Sequence, residues 1–215
     1  MFDSSIIKNF DKYQDVQIKA DRTPVTVADL KANQVIIDAL AEVTLNEKKI
    51  KLPVLSEESA DINPVNTKLR LEWEDYWLVD PLDGTKEFLN QSDEFCVIIA
   101  LVQQHRPTIG VIYSPCDDIV YYAVSGGGAF KREKLQEAVR IFAKKVDLHQ
   151  KSLKIASSKR QHVTRKYNDF LKILDNQRIN YNNIYKGSAI KFGLVATGEI
   201  DLYPRFGLTS EWDTA

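Results

Sequence analysis

The amino-acid sequence predicts an α+β fold in which helices pack against a largely antiparallel sheet. Two patterns support this prediction. Short apolar runs separated by turn residues recur between positions 53 and 131, and such runs are typical of antiparallel strands. Beyond position 152 the predicted strands and helices alternate, which indicates a smaller α/β part. A chain of 215 residues is long enough for one large domain or for two small domains that share an interface.

The first part of the chain should begin with a helix and continue with strands. From Ala28 onwards a stripe with a 3.6-residue period predicts a helix that buries Leu30, Ile36, Ile37, Leu40 and Val43. Apolar runs predict strands at 53–55, 72–79, 95–102, 108–113, 119–124 and 129–131, and a short helix is predicted at 85–89. Prolines stiffen the predicted loops at 21–26 and 61–66.

The charged stretch 132–151 is the predicted junction between the two parts. After it we expect strands at 153–156, 181–185 and 200–203, and helices at 162–174 and 188–197. We therefore divide the chain into residues 1–145, with helices on a mainly antiparallel sheet, and residues 146–215, a smaller α/β part.

Composition excludes several classes of function. Lys and Arg number 29 against 30 Asp and Glu, without a basic stripe, so we predict no nucleic-acid partner. Cys96 and Cys116 form no metal-binding or disulfide pattern, which fits a cytoplasmic protein. The sequence contains neither a signal peptide nor an apolar run of membrane-spanning length. A small anionic ligand remains compatible with this charge balance.

The most informative segment is 80–85, which reads DPLDGT. An apolar run predicts a buried strand that leads into two carboxylates, Asp80 and Asp83, separated by a proline turn. Gly84 and Thr85 follow and can begin a helix. Carboxylates on a rigid turn can hold a hard cation, and backbone N–H groups beside them can hold a phosphate. The segment therefore indicates metal-assisted phosphate chemistry.

Further carboxylates follow other apolar segments, namely Asp29, Glu57, Glu58 and Asp213. Each has an ordinary explanation, because Asp-Gly is a common turn, a Glu-Glu pair is usually solvated, and Asp often caps a helix. Their joint occurrence at the ends of apolar segments favours one shared site. Oxygen ligands without His or Cys partners favour magnesium.

These motifs resemble a known superfamily. Besides DPLDGT, residues 54–58 read VLSEE, 86–88 read KEF and 210–215 read SEWDTA, while KAD, TPVT and AD occupy 19–21, 23–26 and 28–29. The set is similar to the lithium-sensitive, magnesium-dependent phosphatases, which include inositol monophosphatases, fructose bisphosphatases and CysQ-type 3′(2′),5′-bisphosphate nucleotidases. The resemblance covers nearly the whole chain and implies a layered α-β-α-β-α sandwich.

The resemblance also implies roles for the matching residues. The implied magnesium ligands are Glu57, Asp80, the Leu82 carbonyl, Asp83 and Asp213, which would hold two ions bridged by Asp80. A third, weaker ion would lie near Glu57 and the 21–26 loop. The Gly84 and Thr85 N–H groups would bind the reacting phosphate. Asp29, Thr85 and Glu57 would orient and deprotonate the attacking water.

A second group of residues suggests the substrate. Ser188 and Lys191 lie three residues apart on one predicted helix, and Arg205 follows a short predicted strand. The resemblance implies that they bind the non-reacting phosphate of adenosine 3′,5′-bisphosphate or its sulfated form. Hydrolysis of this bisphosphate would clear a by-product of sulfate assimilation. Glu211 would contact substrate hydroxyls. Ser157, Ser158 and His162 lie where family members often contact nucleotide, without a secure match.

Alternatives remain open at this point. Lys191 and Arg205 could be solvated surface cations, and the substrate could be an inositol phosphate or a sugar bisphosphate. The chain could also be an inactive nucleotide-binding remnant. We expect a monomer or homodimer in the cytoplasm, with loose association at the inner face of the membrane as a further expectation from the subgroup.

Both ends of the chain depart from the family pattern. Family members usually begin with a longer helix, for which only residues 4–10 are available, and they continue beyond the Trp212-Asp213 motif through a further helix and strands. We therefore expect a shortened chain in which support for Asp213 is reduced, with lowered stability and activity.

Overall fold

The computed structural model describes residues 16–19, 24–45, 48–60, 69–147, 152–159 and 164–215, and every structural statement below concerns these residues. The strands are β1 (Gln17–Ile18), β2 (Pro24–Val25), β3 (Thr44–Leu45), β4 (Lys48–Lys49), β5 (Val54–Ser56), β6 (Asp75–Asp83), β7 (Cys96–Gln103), β8 (Arg106–Ser114), β9 (Ile119–Val124), β10 (Gly128–Glu133), β11 (Val139–Ile141), β12 (Leu153–Ser157) and β13 (Tyr181–Tyr185). The helices are α1 (Val27–Ala41), α2 (Glu57–Ala60), α3 (Thr85–Leu89), α4 (Arg165–Asn176) and α5 (Ile190–Ala196), with 3-10 turns at Arg70–Glu72 and Glu211–Asp213.

A seven-stranded sheet with the order β11-β10-β9-β8-β7-β6-β5 organises the fold. The strands from β6 to β11 pair antiparallel, and β5 runs parallel to β6. Residues 77–82 of β6 are buried without interruption, because elements pack on both faces of this strand. The prediction of a strand ending at residue 79 is wrong, since β6 continues to Asp83 and shifts register between Asp80 and Asp83.

Helix α1 covers one face of this sheet through residues spaced four apart. Its buried apolar residues are Ala28, Ala32, Ile36 and Leu40. They share a cluster with Trp77 and Val79 of β6. The predicted stripe is wrong at Leu30, which is 42% exposed, because the small alanines rather than this leucine face the sheet. Ile36 and Leu40 are buried as predicted, whereas Ile37 is only partly buried and Val43 lies beyond the end of α1.

The opposite face of the sheet is covered by segments from the C-terminal part. Ala189 and Ile190 pack against Cys96 and Ile98 of β7. Farther along, Trp212 packs with buried residues of β5, β6 and β7. The C-terminal part therefore closes the face that α1 leaves uncovered. The proposed boundary near residue 145 stays a prediction.

The predicted junction at 132–151 contains a strand that the sequence pattern did not indicate. β11 pairs with β10 at the edge of the large sheet. The Arg140 guanidinium lies 6.0 Å from the ring centre of Phe130 and 5.5 Å from that of Phe142. The segment resembled a linker because it contains few apolar residues. The backbone pairing with β10 and these cation–π contacts stabilise it instead.

In the C-terminal part, β12 and β13 form a parallel pair, and α4 packs against it. Tyr167 of α4 is fully buried in this second core. The predicted strand at 200–203 is reduced to a single bridge between Leu202 and Ile155. The predicted helix at 188–197 begins only at Ile190, because Ser188 adopts a left-handed backbone with φ 47°.

The observed architecture confirms the predicted α+β class. Several predictions lie outside the described residues, namely a helix at 4–10, residues 21–23 of the loop at 21–26, the whole loop at 61–66, and His162. Pro24 and Val25 of the predicted loop at 21–26 instead form β2. No helix in the described part of the chain is long and apolar enough to cross a membrane.

A glycine in α5 sets how closely this helix approaches the sheet. A Cβ at Gly193 would lie 2.6 Å from the Tyr121 ring, which is only 6% exposed. We expect Gly193→Ala to lower the free energy of unfolding by about 1–3 kcal/mol through overpacking. Urea unfolding measures this change. Gly207→Ala is the control, because nothing lies within 4 Å of the added carbon, and an equal loss in both variants would contradict the explanation.

Candidate active site

Strand β6 and the turn after it bring the first carboxylates of the site together. Asp80 is 2% exposed, and the Leu82 N–H donates a 3.0 Å hydrogen bond to Asp80 Oδ1. This local bond and the register shift turn the chain so that Asp83 also points into the site. Leu82 itself is 1% exposed, and this burial fixes the turn against the core.

The tertiary fold adds Asp213 to this pair. Asp80, Asp83 and Asp213 each offer a carboxylate oxygen, and these oxygens lie within 4.8 Å of one another. Burial raises the pKa of Asp80 well above its ordinary value, and the neighbouring carboxylates raise it further. Burial and the charge of Asp213 raise the pKa of Asp83 to about 6. Burial likewise raises the pKa of Asp213.

This cluster fits a hard divalent cation. Its donors are carboxylate oxygens, which such cations prefer, and burial together with the neighbouring carboxylates raises the pKa of Asp80 and Asp83, so added positive charge would favour the ionised forms. A cation among the three would supply that charge. The predicted convergence of Asp80, Asp83 and Asp213 is therefore seen in the structure.

Glu57 lies near the cluster and is paired with an ammonium group. Lys19 Nζ lies 2.9 Å from Glu57 Oε1 and 2.7 Å from Glu58 Oε1. Burial raises the pKa of Glu58 to about 7, although the hydrogen bond from Lys19 opposes this rise. The Lys19 pKa is raised by its two carboxylate partners, which outweigh the effect of burial. Lys19 is thus a site residue to which the sequence analysis gave no role.

Asp29 and Thr85 form the hydrogen-bonded pair that the resemblance implied. The Thr85 hydroxyl lies 3.2 Å from Asp29 Oδ1 and also 3.2 Å from the Leu82 carbonyl oxygen. Asp29 is 1% exposed, and its other oxygen accepts hydrogen bonds from the Thr26 N–H and hydroxyl. Burial raises the Asp29 pKa, whereas these hydrogen bonds lower it. Asp29 is therefore held rigidly toward Thr85.

The turn after β6 depends on a glycine. Gly84 has φ 99° and directly precedes α3. A Cβ at this position would lie 3.0 Å from the Glu94 carbonyl oxygen, so backbone conformation and close packing both require glycine. Gly84 and Thr85 line the large cleft.

Lys191 is a buried residue rather than a surface cation. It is 1% exposed, and its ammonium donates to the carbonyl oxygens of Lys186, at 3.0 Å, and Ser188. It lies 5.1 Å from the Tyr203 ring centre. Burial lowers the Lys191 pKa to about 8. Lys191 thus stabilises the loop that carries Ser188.

The same loop contacts the carboxylate cluster directly. The Ala189 N–H donates a hydrogen bond to Asp83 Oδ2, and Cys96 Sγ lies 3.7 Å from the same oxygen. The Gly187 N–H donates to Glu94 Oε2 at 2.8 Å. These contacts were missed because nothing in the sequence pattern relates residues 187–189 to Asp83. They connect the C-terminal part to the carboxylate turn.

A cleft of about 1380 Å³ joins these groups. Its lining includes Glu57, Asp80, Leu82, Asp83, Gly84, Thr85, Ser158, Ser188, Lys191, Arg205 and Asp213. Arg205 is exposed, and its guanidinium donates to the Tyr203 hydroxyl at 3.1 Å. Metal-compatible carboxylates and basic side chains therefore face one cavity.

A sequence model described as the inositol monophosphatase family matches residues 4–215. The chain belongs to the inositol monophosphatase family. It is 40% identical over 204 residues to the 3′(2′),5′-bisphosphate nucleotidase CysQ of Escherichia coli K12, which covers 95% of this chain and 75% of the relative. Its identity to the CysQ of Haemophilus influenzae is 37% over 206 residues, or 96% of this chain and 71% of the relative.

Solved structures agree with this family assignment. The crystal structure of CysQ from Bacteroides thetaiotaomicron matches with a TM-score of 0.76 and 35% identity, over 98% of this chain and 78% of that one. The suhB protein of Bartonella henselae matches with a TM-score of 0.69 at 24% identity, over 98% and 76% of the two chains, which supports the shared fold. The predicted inositol monophosphatase type of layered fold is confirmed, and the chain is a CysQ-type member of the family.

The predicted substrate contact Glu211 is not among the described lining residues of the cleft, whereas Ser158, which received no role, lines it. The Glu211 carboxylate instead pairs with Arg70 at 2.7 Å. Ser157 is buried at the end of β12. A role for Glu211 in binding substrate stays a prediction that the geometry of this family member does not favour.

The cap of α1 should govern the placement of Asp29. Thr26 accepts a hydrogen bond from the Ala28 N–H, and its hydroxyl donates to Asp29. We expect Thr26→Val to lower the free energy of unfolding by about 1–2 kcal/mol, because the cap and one partner of a buried carboxylate are lost. Chemical denaturation measures the loss. Thr26→Ser keeps the hydroxyl and should retain most of the stability, so an equal loss in both variants would refute this role.

Proposed function

We propose that the chain is a magnesium-dependent phosphatase that hydrolyses adenosine 3′,5′-bisphosphate to AMP and phosphate, and also accepts the sulfated form. The observation that supports this proposal is the cluster of Asp80, Asp83 and Asp213, which lines the same cleft as Lys191 and Arg205. The names of the CysQ relatives support a bisphosphate nucleotide as substrate.

In this proposal the carboxylate cluster holds two magnesium ions. Asp80, Asp83 and Asp213 would be ligands, and Glu57 and the Leu82 carbonyl would complete the set. Bound magnesium would neutralise phosphate charge, lower the pKa of the attacking water and stabilise the leaving oxygen. A third ion near Glu57 would have to compete with the Lys19 ammonium, which already neutralises this carboxylate.

The protein groups around the cluster would orient the reactants. Thr85 donates its hydroxyl proton toward Asp29, so the Thr85 oxygen lone pairs can accept a hydrogen bond from the attacking water. Asp29 and Glu57 would then share the role of general base. The Gly84 and Thr85 N–H groups at the start of α3 would bind oxygens of the reacting phosphate.

The second phosphate would bind at the basic side chains that line the same cleft. Arg205 is exposed there and can present its planar guanidinium to a phosphate. Lys191 contributes positive charge and holds the backbone of Ser188 in place. The structure pairs Glu211 with Arg70, so we give Glu211 only a minor part in substrate binding.

We propose that the enzyme acts in the cytoplasm as a monomer or homodimer. Cys96 and Cys116 are both free thiols in the structure, which is compatible with a reducing compartment. Inhibition by lithium is expected as for the family that the sequence resembles.

Phosphate release from a panel of substrates tests this proposal. With magnesium present, we expect adenosine 3′,5′-bisphosphate to have a higher kcat/KM than inositol 1-phosphate or fructose 1,6-bisphosphate. Asp80→Asn should abolish most of this activity, by about 100-fold or more, while the variant remains folded. A preference for inositol phosphate would replace the nucleotide assignment. Magnesium binding without phosphate release from any substrate would indicate an inactive remnant.

Arg205 should act on the second phosphate alone. We expect Arg205→Ala to raise KM for adenosine 3′,5′-bisphosphate by roughly 10- to 100-fold, the usual effect of losing a charged hydrogen bond. Adenosine 3′-monophosphate is the control substrate because it lacks the 5′-phosphate. Steady-state kinetics on both substrates measure the difference, and an equal change for both would show that Arg205 does not contact this phosphate.

A further inference from the structure

The turn Glu211–Asp213 supplies one carboxylate of the cluster from a weakly supported segment. It is a 3-10 turn of three residues. Residues 203–210, which lead into it, form neither helix nor strand, and residues 207–211 are exposed. Regular secondary structure therefore does not fix the position of Asp213. Contacts from other segments must do so.

The turn that carries Asp213 makes one hydrogen bond within itself and one set of apolar contacts with the sheet. Ser210 donates its N–H to Asp213 Oδ2 at 3.2 Å, which orients the carboxylate within its own turn. Trp212 and Ala215 are partly buried and pack against a cluster that includes Leu78. Apolar packing limits how far the turn can move, but it has little directionality. A directional tether to β6 is still needed.

Arg70 provides this tether. Its Nη2 donates a 2.7 Å hydrogen bond to Glu211 Oε1, across 141 positions of sequence. The two side chains are 22% and 48% exposed. Trp73 and Tyr76, which follow Arg70 in the chain, pack in the same cluster as Trp212, the neighbour of Glu211. Burial and the Glu211 charge raise the pKa of Tyr76, and the Arg70 charge opposes this rise.

The position of Arg70 in the chain shows which two segments the ion pair with Glu211 connects. The 3-10 turn Arg70–Glu72 lies two residues before β6, and β6 carries Asp80 and Asp83 near its end. The ion pair therefore joins the segment that carries two carboxylates to the segment that carries the third. An exposed pair of this kind adds little to global stability, about 0–1 kcal/mol, but it can restrict a local turn.

We propose that Arg70 is a positioning residue of the metal cluster, acting through Glu211 to hold Asp213 against Asp80 and Asp83. The proposal rests on the function proposed above, in which these carboxylates bind magnesium. It also explains why the Glu211 carboxylate is absent from the described lining of the cleft. Glu211 is then a structural partner of the turn rather than a substrate ligand.

Positioning and simple electrostatics predict opposite results when Arg70 is removed. Loss of a positive charge near three carboxylates would by itself strengthen cation binding. Loss of a tether would weaken it, because Asp213 would spend less time at the cluster. Magnesium titration of the full chain by calorimetry, without substrate, separates these outcomes.

We expect Arg70→Met to raise the magnesium Kd by about 3- to 10-fold, less than the roughly 10- to 100-fold typical of residues that bond directly to metal ligands, because Arg70 acts through Glu211. Amide hydrogen exchange at Thr214 and Ala215 should also accelerate, because their N–H groups bond to the Glu211 carbonyl in this turn. Arg70→Lys should retain much of the wild-type affinity. Lys49→Met is the control, since it breaks the exposed Lys49–Glu42 pair elsewhere and should change neither quantity.

A charge exchange makes the test specific to the pair. Arg70→Glu and Glu211→Arg should each weaken magnesium binding, and the double variant should recover to within about threefold of wild type. Unchanged or tighter binding in Arg70→Met, or a double variant no better than the single ones, would overturn the proposal. If the wild-type chain binds magnesium but releases no phosphate, the proposed function fails while these measurements still decide the role of Arg70.

Discussion

Mutual repulsion among Asp80, Asp83 and Asp213 is the constraint on which the site depends. Their oxygens lie within 4.8 Å of one another, and burial raises the pKa of each. Such a cluster is unfavourable unless a cation offsets its charge and rigid backbone holds it in place. The surrounding structure therefore has two tasks, namely to restrain the carboxylates and to leave them open to a cleft.

The restraints come from different parts of the chain and act on individual oxygens. The Leu82 N–H holds Asp80, the Ala189 N–H holds Asp83, and the Ser210 N–H holds Asp213. In each case a backbone donor partly compensates a buried carboxylate, as the lowering effect of these hydrogen bonds on its pKa indicates. One oxygen is thereby fixed while the rest of the carboxylate remains available as a ligand.

The ammonium groups of Lys191, which is buried, and Lys19, which is partly buried, support the site through hydrogen bonds to protein oxygens. Lys191 bonds to two carbonyl oxygens of the loop that also donates to Asp83. Lys19 bonds to Glu57 and Glu58. Each cation thus stabilises backbone or carboxylates beside the cluster. The 186–189 loop therefore connects Lys191 to Asp83 of the carboxylate cluster.

The sequence alone determined the α+β class, the helix at 85–89, most strands of the large sheet and the chemistry of the DPLDGT segment. These features depend on local periodicity, turn residues and the type of ligand, all of which are legible in neighbouring residues. The tertiary structure decided which face of α1 is buried, because Ala28 and Ala32 face the sheet while Leu30 remains exposed. It also decided that β11 joins the sheet, because its partners lie on other strands.

The tertiary structure also brought the carboxylates of the site together. Resemblance to a family placed Asp213 with Asp80 and Asp83, but only folding could bring residues 130 positions apart within reach of one another. The hydrogen-bond and ion-pair partners of Lys191, Glu57 and Glu211 were also not predictable from sequence, because burial and long-range ion pairs leave no pattern in neighbouring residues. Short-range order is encoded by adjacent residues, whereas the identity of a charged group's partner depends on the whole chain.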